Sequence, residues 1–149
     1  MLSSHLSESS VDPESSFSVK IEKEQLVIHP TDANKLSGHV LFHLPDLPQY
    51  TTRLSAVKVG FSSGTAAVAG VAVRSHQHTL FTDPDLRETA SFTCPIFSAN
   101  DDLKSSADDL TLSVGVEFND INGSITFMSA ELEVIVSSEG PRLKSGQEI

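Results

Sequence analysis

Leu110-Thr111-Leu112-Ser113-Val114-Gly115-Val116-Glu117-Phe118, then Asn119-Asp120-Ile121-Asn122-Gly123, then Ser124 to Val136, is the stretch whose reading decides the fold. Leu112, Val114, Val116 and Phe118 alternate with Thr111, Ser113, Gly115 and Glu117, so an extended chain here has one apolar side and one mostly polar side. In the second run Thr126, Met128, Ala130, Leu132, Val134 and Val136 share one parity, while Ile125 and Phe127 sit on the other. That conflict predicts either two covered faces or a bulge that shifts the register. Asn122-Gly123 suits the positive φ of a tight reversal, so the two runs are expected to pair as an antiparallel hairpin.

Working outward, the same period recurs. Phe17, Val19 and Ile21 predict one short strand and Gln25 to His29 another, separated by Glu22-Lys23-Glu24. Val40, Phe42 and Leu44 oppose His39, Leu41 and His43 on a third, which ends where Pro45 and Pro48 forbid ladder bonds. Arg53 to Phe61 is a longer strand, and Ala66 to Ser75 carries small residues on both faces, which predicts a central position in a sheet. His76 to Phe81 is expected to continue or restart a strand, and another strand runs through Phe92, Cys94 and Ile96 with Pro95 at a sheet edge or a bulge. No window keeps helical spacing. The fold class is all-β: a two-sheet antiparallel β-sandwich, jelly-roll-like, of about eight strands.

At 149 residues the chain fits one domain. Residues 1–16 are Ser- and acid-rich and predict a disordered tail, 17–137 the β-sandwich domain, and 138–149, with Gly140-Pro141, a flexible tail. The single Cys94 excludes an internal disulfide, and no secretory leader stands at the start, which together favour a cytoplasmic setting. No apolar run approaches the roughly 20 residues that cross a bilayer, so no membrane contact is expected. The net charge of -10, with scattered Lys and Arg, disfavours nucleic acid.

One resemblance emerges from these strands. Gly38-His39-Val40-Leu41-Phe42-His43-Leu44-Pro45, Arg53 to Phe61, Ala66 to Val73, and Leu112 to Phe118 with Ser124-Ile125-Thr126-Phe127 and Ala130 resemble a family of small, functionally uncharacterised all-β proteins from fungi and bacteria. The resemblance covers about two thirds of the chain; it implies the all-β fold and carries over no active site. An aromatic-rich surface motif associated with that family is replaced here by Arg74-Ser75-His76-Gln77-His78.

Chemistry is sparsely marked. His76 and His78 share a face of a strand about 7 Å apart, and with Asp83 and Asp85 they form the candidate ligand-binding set. Zinc would need His39 or His43 as a further ligand, but these two lie about 13 Å apart on one strand, and no metal is assigned. The acids between Asp101 and Asp109 lack calcium-loop spacing. Cys94 alternates with core residues and reads as a small hydrophobe. No G-x-S-x-G, phosphate-cradling glycine loop or H-E-x-x-H is present, and no cofactor is implied.

Two functions follow. The first is a non-catalytic binding or protein-interaction module whose loops meet a protein or small-molecule ligand. A sugar platform is poorly supplied, with Tyr50 the one tyrosine and no tryptophan. The second is a small cofactor-independent isomerase or cyclase acting on a lipophilic metabolite between the sheets, with His39, His43 or His78 as acid or base. A solid core favours the module, a roomy one the enzyme. For self-association, a closed homodimer is favoured over open-ended growth.

Overall fold

The structure is a computed structural model that describes residues 2–4, 6, 9–48, 51–75, 78–96 and 110–136. Among them run eleven strands: β1 (Leu2–Ser3), β2 (Ser10–Val11), β3 (Phe17–Glu22), β4 (Gln25–Pro30), β5 (Ser37–His43), β6 (Thr51–Gly64), β7 (Ala66–Ser75), β8 (His78–Asp83), β9 (Phe92–Pro95), β10 (Leu110–Phe118) and β11 (Ser124–Val136). They form two antiparallel sheets. One has the order β3-β4-β11-β6-β9, with β1 also on β11; the other has the order β2-β5-β10-β7-β8.

The sheets face each other because each strand sends alternate residues inward. Leu112, Val114 and Val116 of β10 pair with Phe42, Val40 and Gly38 of β5, and Leu112 and Val114 also with Val73 and Val71 of β7. The facing sheet supplies Leu26, Ile28, Val57, Val59, Ile125, Phe127 and Leu132, all buried. Phe127 joins the layers, edge-on to Phe42 at 5.2 Å and tilted to Phe61 at 6.0 Å. Each such side chain contributes about 1.5–3 kcal/mol by leaving water. The parity conflict in β11 is a bulge: the register on β6 shifts between Phe127 and Ser129, so Ile125 and Phe127 face the core before it and Ala130 and Leu132 after it.

Two expectations are corrected. The Leu110–Val136 stretch is not a hairpin: β10 and β11 lie in different sheets, and the five-residue link 119–123 turns the corner between them. Gly123 has no positive φ. Glycine suits the corner for a packing reason: a Cβ there would stand 3.0 Å from the Phe118 ring and the Thr65 hydroxyl, so either neighbour would have to give way to a larger residue. Asp120 shapes the link by accepting the Asn122 N–H at 2.9 Å. The tight two-residue reversal sits instead between β3 and β4, where Lys23 and Glu24 both adopt positive φ (51° and 65°).

The second correction concerns the segment read as a disordered tail. Leu2–Ser3 pairs with Leu132 and Glu131, and Ser10–Val11 pairs with Leu41 and Val40. Leu2 is buried, and Leu6, Val11 and Phe17 pack on the core, so apolar residues too sparse to mark a strand still cover the seam between the sheets. The tail 138–149 lies outside the described residues.

Candidate functional site

The outer face of the β5-β10-β7 sheet carries a concavity, a trough of about 470 Å³. Its floor is a register pair, Gly115 of β10 opposite Gly70 of β7, where two absent side chains leave a depression. A bulge deepens it: the register shifts between Gly115 and Val116, which leaves Ala69 without a β10 partner. One wall is built by β5 and the segment before β3. Asp12 donates its N–H to the His39 carbonyl (3.0 Å) and its carboxylate accepts the Glu14 N–H (2.9 Å). Ser15 Oγ accepts the His39 N–H at 2.9 Å. The opposite wall is residues 84–88, clamped to β7 by Leu86 N–H to the Ala69 carbonyl (3.0 Å) and by reciprocal bonds between Val68 and Glu88 (2.8 and 3.0 Å). A second concavity of about 230 Å³ adjoins through Ala69, Pro84 and Glu117 and extends the trough to Asp85 and Arg87.

The chemistry of this trough is that of hydrogen-bond acceptors. Asp12, Glu14 and Glu117 bring three carboxylates and His39 an imidazole, Asp85 adds a fourth carboxylate at the far end, and Arg87 is the one cation among the lining residues. Among the described residues no Phe, Tyr or Trp lines either part.

The predicted site residues are scattered. His39 lies in the trough and exposed, while His43 is exposed at the other end of the same face, opposite Thr111. His78 begins β8 opposite Ser75 and Asp83 ends it, about 17 Å away along an extended strand. Asp85 joins the trough and Asp83 does not. His76, Tyr50 and the acidic loop 101–109 lie outside the described residues. Among the described residues no three His, Cys, Asp or Glu side chains gather as a metal group.

Asp83 belongs to a side cleft of about 340 Å³ between the sheet edges β8 and β9, beside Phe81, Leu86, Glu88, Phe92 and Cys94. The Cys94 thiol donates to Asp83 Oδ2 at 3.7 Å. Burial, then the Asp83 charge and hydrogen bond, then Glu88, push that thiol up from its ordinary range. A thiol so placed is a poor nucleophile at neutral pH. Asp83→Asn is therefore expected to speed iodoacetamide labelling of Cys94 at alkaline pH, and an unchanged rate would show that the carboxylate does not hold the proton. Among the described residues the cleft lining includes no histidine, and His39 and His43 are exposed on the outer face of the other sheet.

No family model matches the chain, and no curated protein matches it. Among solved structures it is similar to PfGH50B (TM-score 0.57, 9% identity), covering 92% of this chain and 24% of that one. The chain thus spans about a quarter of that protein. Looser likenesses are to a carbohydrate binding module of family CBM4 (TM-score 0.46, 13% identity, 91% and 86% of the two chains) and to CBM29-2 in complex with cellulohexaose (TM-score 0.44, 9% identity, 83% and 80%). At such identity the likeness is one of fold, and the class defined is a two-sheet antiparallel β-sandwich.

Proposed function

We propose that this protein is a non-catalytic binding module, a jelly-roll sandwich that holds a donor-rich, positively charged segment of a partner protein in the trough on its β5-β10-β7 face. The observation that carries this reading is the paired-glycine floor between walls of opposite origin, rimmed by Asp12, Glu14, Glu117 and His39. The interior supports it, since the aromatic contacts of Phe42, Phe61 and Phe127 fill the space between the sheets. Carboxylates attract lysine and arginine, and the chain's net charge of -10 steers such a segment inward. Sugar rings stack best on Phe, Tyr or Trp faces, and the described lining of the trough includes none of these.

Gly115→Phe tests the site. A Cβ at Gly115 meets its nearest neighbours at 3.5–3.6 Å, ordinary contact, so the backbone accepts it while the ring fills the trough. Calorimetric titration with an octalysine peptide is expected to show binding to the wild type that weakens with salt, and at least a tenfold loss in the variant at unchanged thermal midpoint. Equal affinity in both proteins, or binding of cellulohexaose in place of the peptide, overturns the reading.

A further inference from the structure

We infer that β3 is a self-pairing edge through which two copies of this chain join their sheets into one. The other sheet edges are blunted. β2 has two residues, β9 has four and ends in Pro95, and β8 carries a register shift against β7 and runs into Pro84. β3 has six residues in unbroken register with β4, and no proline. Its phase is fixed by the turn: Glu22 and Gln25 close the two-residue reversal, so residues 22, 20 and 18 bond to β4, and residue 16 continues the pattern by accepting the Thr31 N–H at 2.8 Å. Phe17, Val19 and Ile21 therefore direct their backbone N–H and C=O groups away from the sheet. Their side chains share the core-facing parity of Leu26 and Ile28, yet Val19 and Ile21 are 43% and 45% exposed where Leu26 and Ile28 are 0%, because β3 overhangs the facing sheet.

The occupant is a second copy because this edge matches itself. With a two-fold axis at Val19, antiparallel pairing sets Val19 opposite Val19, Phe17 opposite Ile21 and Ser18 opposite Lys20. All three outward-pointing residues of each copy then bond, and the exposed apolar side chains meet. Moving the axis to Lys20 would place two lysines face to face, and moving it to Ile21 would run Val19 into the turn at Lys23. Lys20 and Lys23 balance Glu22 and Glu24, so the hairpin is neutral within a chain of net charge -10, and the copies meet where repulsion is least. Pairing of one six-residue edge sits at the small end of specific interfaces, below about 1,200 Å², the class of weak and transient contacts. The axis is perpendicular to the joined sheet, so both outer β5-β10-β7 faces point the same way and a ligand with two epitopes engages both. The pairing itself does not depend on what that face binds.

Sedimentation equilibrium of the full chain tests it. The wild type is expected to pass from monomer to dimer between about 1 and 200 μM, and Val19→Lys to stay monomeric throughout, with its fold checked by circular dichroism. Should Val19→Lys fail to fold, two variants in a Cys94→Ser background decide. Val19→Cys is expected to form an intermolecular disulfide on mild oxidation, since facing strand residues lie about 5.5 Å apart between Cα atoms, whereas Lys20→Cys is not. A wild type monomeric at all concentrations, a dimer that survives Val19→Lys, or a Lys20→Cys protein that cross-links as readily overturns the proposal.

Discussion

Phe127→Ala is expected to lower stability by about 3–5 kcal/mol, a large part of the 5–15 kcal/mol that holds a typical domain together. Phe127 is fully buried and is the ring shared by the Phe42 contact across the layers and the Phe61 contact within its own sheet. Neither neighbour can follow it into the void, because each is held by its own strand ladder on β10 or β11. Urea unfolding followed by circular dichroism reads the effect as a lower midpoint at unchanged slope. A loss under about 1 kcal/mol would show slack between the sheets, and with it room for the lipophilic substrate of the enzyme alternative.

The second large effect is expected at Gly70, and it reaches the trough. A Cβ there would lie 3.0 Å from the Asp83 carbonyl oxygen and 3.1 Å from the Pro84 Cα, both backbone atoms at the start of the clamped wall. Gly70→Val therefore forces residues 83–88 outward, at a cost of about 1–3 kcal/mol. The bonds between Val68 and Glu88 and from Leu86 to Ala69 break with it. Amide hydrogen exchange is the direct readout: Leu86 and Glu88 lose protection while Phe42 and Ile125 in the core keep theirs. Gly115→Phe, on the same floor, leaves the wall protected, so the two variants separate filling the trough from dismantling it. Retained protection at Leu86 in Gly70→Val would mean that the wall is not seated on this glycine.

Strand identity was legible because period two is a property of single strands. The outward placing of His39 and His43, the bulge near Phe127, the inner position of Ala66 to Ser75 and the edge position of Pro95 all follow from local alternation and from what proline removes. Partner choice was not legible. The five-residue link that reads as a hairpin serves equally as a corner between sheets, and what distinguishes the two is the pairing of β10 with β5 and β7 and of β11 with β4 and β6, strands far earlier in the chain. The trough was hidden for a related reason. Its floor is made of side chains that do not exist, and two of its carboxylates, Asp12 and Glu14, come from a segment whose composition argues for disorder until β5 is there to receive it. A signal was present in Gly70 and Gly115, which interrupt two strong strands at their middles, where glycine is disfavoured unless something must approach closely. Proximity in sequence is a poor guide to proximity in a strand: His78 and Asp83 stand at opposite ends of one extended β8.

The most direct test is to titrate octalysine into the isotopically labelled full chain and follow every backbone amide by heteronuclear NMR. Saturable shifts confined to His39, Ala69, Gly70, Gly115 and Glu117, and lost in Gly115→Phe, are the predicted result. Shifts centred on Phe92 and Cys94 in the side cleft, or spread evenly over the acidic surface, would contradict it.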